Sequence, residues 1–511
     1  MKLRENQWGF DLDLDNPFLI FPYLRKIAID SVGIENVVDL SRGDPGFGYI
    51  PSVRGREFYG FLLELDQMFN CPDEHFSSDN RDNLETLLKR IEERANAVYV
   101  PKKADRVLED FHFFLTRIAK YAGEQGLDWD KETIIREIFK YSSVSGGSYL
   151  NPKGEPMMRL VVADHFNKRL GLDVDYSEVL MVQGVSHGIG TVFKLFNDPK
   201  IGYITEGDYV MMASPVYAPY NNILNNRGIK TYTIPLDPTD GSVDGDLDEI
   251  LAKAPENLKM ICLIDPNNPS GMMHSEEFLE KLAQFAKERN IFIVSDEVYS
   301  DFFFERKKSV MAFARERTIF LGGISKIERA TGLRSGQMII AKEAQKYIAE
   351  EILGGKLGRA KDLMQMLVFA KAPGGVDGEF QHVTFTTGPS QFMGMAHMIF
   401  GDDDRNEYLK RIRVNMENFY EILGMEYKKN LYYSCFDLRK LAGEERAGGD
   451  AHEFFIGLAK KGVVVIPANL FFSEEMRERK DYKSYARACL PNVTFTNLQK
   501  AARLIKEYMA G

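Results

Sequence analysis

Cysteine is scarce, with four in 511 residues. Cys71, Cys262, Cys435 and Cys489 are widely separated and form no CxxC pair or Cys/His cluster, the spacing that zinc or dithiol chemistry requires. A stapled or zinc-held scaffold is thereby excluded; the thiols are expected to be reduced and buried, and no residue is assigned to a metal. Long apolar runs are missing too. Nowhere are there the roughly 18 consecutive apolar residues that span a bilayer, and the opening MKLRENQWGFDLDLDNPF lacks the apolar core of a secretion signal. The expectation is a cytoplasmic protein with no membrane partner. An excess of basic charge is also absent: 65 Lys and Arg stand against 75 Asp and Glu, a net charge of −10. A phosphate backbone would be repelled on average, so nucleic acid is not an expected partner. There is no internal repeat and no linker rich in Pro, Gly or Ser. What is present is 44% hydrophobic, 12% aromatic and 27% charged residues, the composition of a folded globular chain with roughly three domains' worth of length.

Two textures divide the sequence. Across residues 83–139, Leu84, Leu87, Leu88 and Ile91, then Phe113, Phe114, Ile118 and Tyr121, recur at three- and four-residue spacing, which predicts helices. From Val179 onward, short apolar runs alternate with amphipathic helices, the pattern of an α/β fold whose mostly parallel sheet is covered on both faces. Candidate strands are 179–183, 209–213, 260–264, 291–295, 318–321 and 337–341. Between the third and fourth, Phe278, Leu279, Leu282, Phe285 and Ala286 mark a helix with Asn290 near its end. Residues 343–367 read as a long helix interrupted by Gly354, Gly355 and Gly358. Asp402, Asp403 and Asp404, after Gly401, read as a solvated turn, with a role toward a cation as the alternative.

The residues able to carry chemistry fall just past the carboxyl ends of candidate strands, where an open parallel sheet binds its ligands. After the first strand, Gly184-Val185-Ser186-His187-Gly188 leads into a helix, and free N–H groups, a hydroxyl and the positive helix terminus make an anion cradle; a ligand-free turn is the alternative. The spacing is neither GxGxxG nor the Walker pattern, which disfavours a dinucleotide or triphosphate. After the second, Ser214-Pro215-Val216-Tyr217 presents a ring that either stacks on a planar ligand or packs a turn. After the third, Asp265-Pro266-Asn267-Asn268-Pro269-Ser270-Gly271 combines a stiff backbone with amide side chains. After the fourth, Asp296 ends the apolar run Ile291-Phe292-Ile293-Val294, and a buried carboxylate there needs a cationic or protonated partner; Tyr299 follows three residues on. After the fifth, Gly322-Gly323-Ile324-Ser325-Lys326 delivers an amine, with Arg334 eight residues later. A lone lysine is ordinarily a solvated surface group; this one comes with partners.

Together these groups describe a flat ring with a basic nitrogen, a phenolic oxygen, an aldehyde and a phosphate, which is pyridoxal 5'-phosphate. Lys326 takes the aldehyde as a Schiff base and later acts as the general acid/base. Asp296 keeps the ring nitrogen protonated, and Ser186 and Arg334 bind phosphate.

The sequence resembles the class I aminotransferases of the fold-type I pyridoxal-phosphate family. DPNNPSG looks like their NPxNPTG, DEVY matches their Asp-x-x-Tyr, and SKIERATGLRSG looks like their Schiff-base lysine and phosphate-binding arginine. The resemblance implies fold type I, a mostly parallel sheet between helices with a smaller α+β domain, here carrying a helical insert. It implies that Asn268 and Tyr299 bond the phenolic oxygen, that Tyr217 stacks on the ring, and that the backbone at Gly184 and Val185 touches phosphate. Tyr149, in SYLNPKGEP, is similar to the tyrosine that reaches the phosphate from a neighbouring subunit, so a homodimer or larger homo-oligomer is implied. Arg487, in YARACL, resembles the arginine that takes the substrate α-carboxylate; on sequence alone it reads as a surface residue. The Arg42-Gly43-Asp44-Pro45 motif, the insert and ATGLRSG look more like the aspartate 4-decarboxylase branch. Arg42 is then a candidate for the substrate side chain, with a salt-bridged loop arginine as the alternative.

Three departures stand out. Gly323 occupies the place of a phosphate-binding serine, His187 follows Ser186 where a small residue or glutamine is usual, and Pro467-Ala468-Asn469-Leu470-Phe471-Phe472 is apolar for a dicarboxylate site. His187 reads as packing, with a cofactor-side role as the alternative. The expected organisation is a small-domain segment over 1–55, a helical insert over 56–140, a large cofactor-binding α/β domain over 141–345, and a linker helix with a small domain over 346–511. The expected activity is transfer of the amino group of an L-amino acid, aspartate foremost, to a 2-oxo acid. The alternatives are aspartate 4-decarboxylation, another fold-type I lyase or synthase, and a non-enzymatic regulator; no basic helix-turn-helix segment at the amino terminus supports the last.

Overall fold

The structure, a computed structural model, describes residues 17–45, 52–70, 83–199, 201–302, 308–354, 363–364, 367, 386–429, 431–439, 451–473, 476, 485–491 and 493–510. Cys71, most of the amino-terminal stretch, and Gly355 and Gly358 with much of the 343–367 segment lie outside them. The chain is α/β and divides into two compact units.

One unit comprises Met1–Tyr49, Ile204–Glu305 and Glu407–Gly511. Its ladder runs in the spatial order Phe292–Asp296, Leu258–Ile264, Tyr209–Ser214, Lys230–Pro235, every pair parallel. Phe292–Asp296 is buried at every position, as expected of a strand covered on both faces. The helix Glu276–Arg289 connects Leu258–Ile264 to its neighbour; Ser275 caps it by accepting from Phe278 N–H, and Asn290 ends it in the left-handed conformation at φ 54°. Lys230–Pro235 escapes the sequence reading because it is an edge strand, exposed to half-buried over most of its length, with no continuous apolar run. A second ladder pairs Ile466–Pro467, Tyr485–Cys489 and Tyr433–Asp437 antiparallel, with Arg487 opposite both Ile466 and Cys435.

The other unit comprises Ile50–Tyr203 and Arg306–Asn406. Its helices include Val53–Phe69, Leu84–Val98, Pro101–Glu124, Lys131–Phe139, Pro156–Leu170, Val185–Phe196 and Gly388–Phe400. Asn83 and Asp130 cap two of them by accepting from Thr86 and Thr133 N–H. Phe58 anchors the packing, its ring centroid 5.2 Å from Phe114 and 4.7 Å from Phe400; burying each such ring is worth about 1.5–3 kcal/mol. Phe114, Ile118 and Tyr121 face this core, but Phe113 is 47% exposed. The buried stripe runs through Phe111, Phe114, Leu115 and Ile118, and Phe113 falls on the opposite face.

Three strands in this unit, Val179–Val182, Gly336–Ile340 and Thr318–Gly323, pair antiparallel in that order. The sequence pattern places these strands but not their direction. Residues 324–335 hold only turns and the short 3-10 turn Thr331–Leu333, so the chain doubles back without the crossover helix that a parallel neighbour usually needs. The aspartates at 402–404 form the first turn of the helix Asp402–Leu423 rather than a turn before it, where carboxylates meet the positive helix end. Among the described residues no helix is long and apolar enough to cross a membrane, and no group of three or more His, Cys, Asp or Glu could hold a metal ion.

Candidate functional site

The candidate residues fall into two sets, one in each unit. In the second unit, the strand Val179–Val182 turns through Gly184, at φ 78°, into the helix Val185–Phe196, whose N-terminus has no side-chain cap. The turn requires glycine twice over: its φ is left-handed, and a Cβ there would lie 2.6 Å from Arg334 Nη2. Gly336 presses on the same turn, since its Cβ would come within 2.8 Å of Gly184 Cα. The Arg334 guanidinium thus lies over the start of the helix, where Nη1 donates to Thr331 O at 3.1 Å and Nη2 to Gln183 O at 3.5 Å. Val185 is half-buried and Ser186 exposed beside it. His187 reaches back so that its Nδ1 accepts from Gln183 N–H at 3.2 Å, a local bond that closes the helix start. A helix start without a side-chain cap, a guanidinium and a hydroxyl are together the kind of donor set that suits an anion.

Lys326 is half-buried in the turn after Thr318–Gly323. Thr331 Oγ1 donates to Ser325 O at 2.9 Å, and Arg329 N–H to Lys326 O at 3.0 Å. Two residues on, Glu328 forms a buried ion pair with Arg405, which also donates to Asp402 Oδ1 at 2.6 Å. A Cβ at Gly323 would meet Ser335 O at 3.4 Å and Val185 Cγ2 at 3.6 Å, ordinary contacts, so glycine is not forced there by space. Tyr149 is 88% exposed.

In the first unit, Asp296 closes the strand Phe292–Asp296. Its Oδ2 accepts from the Tyr220 hydroxyl at 3.3 Å and its Oδ1 from Val298 N–H at 3.2 Å. Burial, and then the Asp296 charge, push the Tyr220 phenol well above its ordinary pKa, which keeps it a donor. Asn267 fixes the loop after Leu258–Ile264: its Nδ2 donates to Pro215 O at 3.0 Å and its Oδ1 accepts from Ser270 Oγ at 2.9 Å. Asn268 is thereby presented to Arg487, whose Nη1 donates to Asn268 Oδ1 at 3.5 Å. Arg487 is 3% exposed, donates to Ser41 O, and has the Tyr433 and Phe471 rings at 4.6 and 4.9 Å from Cζ. It is therefore a core residue rather than a surface one, and the apolar run through Phe471 supplies one of the faces against it.

Tyr299 is buried, with its hydroxyl 2.9 Å from that of Tyr433. Burial, and then Tyr433, raise its pKa well above the ordinary value. Tyr217 is half-buried in the stretch between the strand Tyr209–Ser214 and the helix Pro219–Asn225 that carries Tyr220. Arg42 pairs with Asp44 at 2.8 Å and is 46% exposed. Sequence reasoning missed Tyr220 and Tyr433, and singled out Phe471 only as part of an apolar run. Tyr220 sits one helical turn beyond Tyr217, a signal that could have found it, whereas Tyr433 has no local signal at all.

Residues 118–505 match the family model for aminotransferase class I and II. An aspartate aminotransferase of Pyrococcus horikoshii is 29% identical over 226 residues, 44% of this chain and 56% of its own length. One from Sulfolobus acidocaldarius is 24% identical over 384 residues, 73% and 87% of the two chains. The chain thus spans little more than half the length of the first of these relatives. Among solved structures, an alanine aminotransferase from Pyrococcus furiosus superposes with a TM-score of 0.62 at 18% identity, over 95% of this chain and 96% of that one, which shows the fold-type I architecture.

Proposed function

Because the chain belongs to the class I and II aminotransferases, a family that depends on pyridoxal phosphate, we propose that it transfers the amino group of an L-amino acid, aspartate first among the candidates, to a 2-oxo acid. The observation that carries this reading is the Gly184 turn, whose bare backbone and uncapped helix start lie beneath the Arg334 guanidinium. That donor set suits a phosphate dianion, and a side chain at Gly184 would occupy the space. The residues present therefore fit the cofactor.

When bound, the cofactor supplies an aldehyde that takes up an amine and a ring that withdraws electrons once its nitrogen is protonated. Lys326 is the amine that holds it and, once displaced by substrate, the base that removes and returns the proton at the substrate α-carbon. Asp296, oriented by Tyr220 and by Val298 N–H, accepts the ring N–H and keeps that proton in place. Asn268 and Tyr299 donate to the phenolic oxygen, Tyr217 stacks on the ring, and Val185 N–H and Ser186 add to the phosphate contacts. Arg487 takes the α-carboxylate with a planar fork that Asn268, Tyr433 and Phe471 hold in one orientation. Arg42 is assigned to the far end of the substrate. Tyr149, exposed in a single chain, is assigned to the phosphate of a neighbouring copy in a homodimer or larger assembly.

The test is incubation of the protein with aspartate, with and without 2-oxoglutarate. Oxaloacetate and glutamate formed only with the acceptor are the expected result. Alanine and carbon dioxide from aspartate alone would establish β-decarboxylation instead. No turnover of aspartate under either condition removes it as substrate, and a screen of other amino acids for loss of the visible band then identifies the donor.

A further inference from the structure

Tyr433 touches two groups at once that the proposed chemistry uses separately. It is 2% exposed, and its hydroxyl is 2.9 Å from the Tyr299 hydroxyl. The face of its ring lies 4.6 Å from Arg487 Cζ. It stands at the start of the strand Tyr433–Asp437, paired with Cys489 in the strand that carries Arg487, so the backbone ladder fixes its position. Tyr432, next in the chain, packs its ring 5.1 Å from that of Tyr299 and holds the same phenol from another side.

Two phenols in contact share one proton along the line between them, and the more acidic one donates. A guanidinium over the face of a phenol stabilises negative charge on its oxygen and makes it the better donor. Arg487 lies over Tyr433, and this charge opposes the rise that burial causes in the Tyr433 pKa. Tyr433 is therefore the donor, Tyr299 the acceptor, and the Tyr299 proton is left to be given elsewhere. A phenol that accepts one hydrogen bond donates the next more strongly.

We propose that Tyr433 is a positioning residue that links the carboxylate-binding arginine to the phenol of Tyr299, strengthening the bond Tyr299 donates. The link rests on the reading above, in which Tyr299 donates to the cofactor's phenolic oxygen and Arg487 binds the substrate carboxylate. It makes the cofactor's proton affinity depend on a residue that the reading above assigns to neither cofactor nor substrate. When a substrate carboxylate neutralises Arg487, the donor strength of Tyr433 falls and that of Tyr299 with it.

The experiment is a pH titration of the visible absorbance band of the cofactor-loaded protein, in wild type, Tyr433→Phe and Tyr299→Phe. A hydrogen bond drawing charge from the phenolic oxygen makes it hold the titrating proton less tightly, so losing that bond raises the midpoint. Tyr299→Phe is expected to raise it most. Tyr433→Phe keeps the ring against Arg487 and is expected to raise it by roughly 0.3–1 pH unit. Replacing Tyr433 by 3-fluorotyrosine, a more acidic phenol of nearly equal size, is expected to lower the midpoint, and this variant serves if Tyr433→Phe does not fold. An unmoved midpoint in the Tyr433 variants, with the Tyr299→Phe midpoint raised, overturns the link and leaves the functional reading standing. An unmoved midpoint in Tyr299→Phe overturns the reading of Tyr299 and the link together.

Discussion

Tyr220 and Asp296 form a buried donor–acceptor pair, with the phenol hydroxyl 3.3 Å from the carboxylate Oδ2. Burial keeps the phenol protonated, so together with Val298 N–H on Oδ1 it holds the carboxylate in the one orientation assigned to the protonated ring nitrogen. Removing the hydroxyl in Tyr220→Phe leaves the ring packing intact and frees the carboxylate to turn. The expected cost is about 1 kcal/mol, or roughly a fivefold loss in kcat/KM, with the unfolding midpoint nearly unchanged. Steady-state kinetics check it; an unchanged kcat/KM would show that Tyr220 does not orient Asp296.

Arg405 and Glu328, 2% and 1% exposed at their side chains, form a buried ion pair just beyond Lys326. Removing Arg405 strands the Glu328 charge, at a cost of about 3–5 kcal/mol, whereas removing Glu328 leaves Arg405 its pair with Asp402. Arg405→Met is expected to lower the denaturant midpoint sharply and Glu328→Leu less, and the double variant to recover most of the loss seen in Arg405→Met. Singles and double of equal stability would mean that the pair is not desolvated as described.

Arg487 lies against two rings and holds a fixed fork. Lysine supplies the charge without the planar geometry, so Arg487→Lys is expected to raise KM for the amino donor by roughly 10–100-fold, with a smaller effect on kcat. A fall in kcat at constant KM would assign Arg487 to another task.

His397 is 1% exposed in the helix Gly388–Phe400, and burial lowers its pKa, partly offset by Glu328. The folded chain therefore keeps it neutral, while the unfolded chain takes up a proton near pH ~6.5. Stability from this group is full above that pH and is lost as the pH falls below it. The denaturant midpoint is expected to drop between pH 7.5 and 5.5, and to drop less in His397→Gln. Equal drops would exclude His397 as a source of the dependence.

The sequence carries local information well and distant information poorly, and the elements divide along that line. Residues 260–264 and 291–294 are continuous apolar runs, followed by DPNNPSG and, after Ser295, by DEVY, so strand and motif are legible together. Gly336–Ile340 is legible as a strand, but its antiparallel direction depends on how residues 324–335 return. The part of the site around Arg487 is almost illegible: Arg487, Tyr433 and Tyr299 lie far apart in the chain and meet through ladder register and a phenol–phenol bond. Only the resemblance singled out Arg487, and nothing local marked Tyr433.

One chemical experiment decides whether Lys326 is the amine that carries the cofactor. The loaded protein is reduced with borohydride, digested and mapped by mass spectrometry, which fixes the cofactor to whichever lysine held it. The added mass is expected on the peptide containing Lys326 and on no other. The same mass on a different lysine, or a visible band that persists in Lys326→Ala, would contradict this assignment.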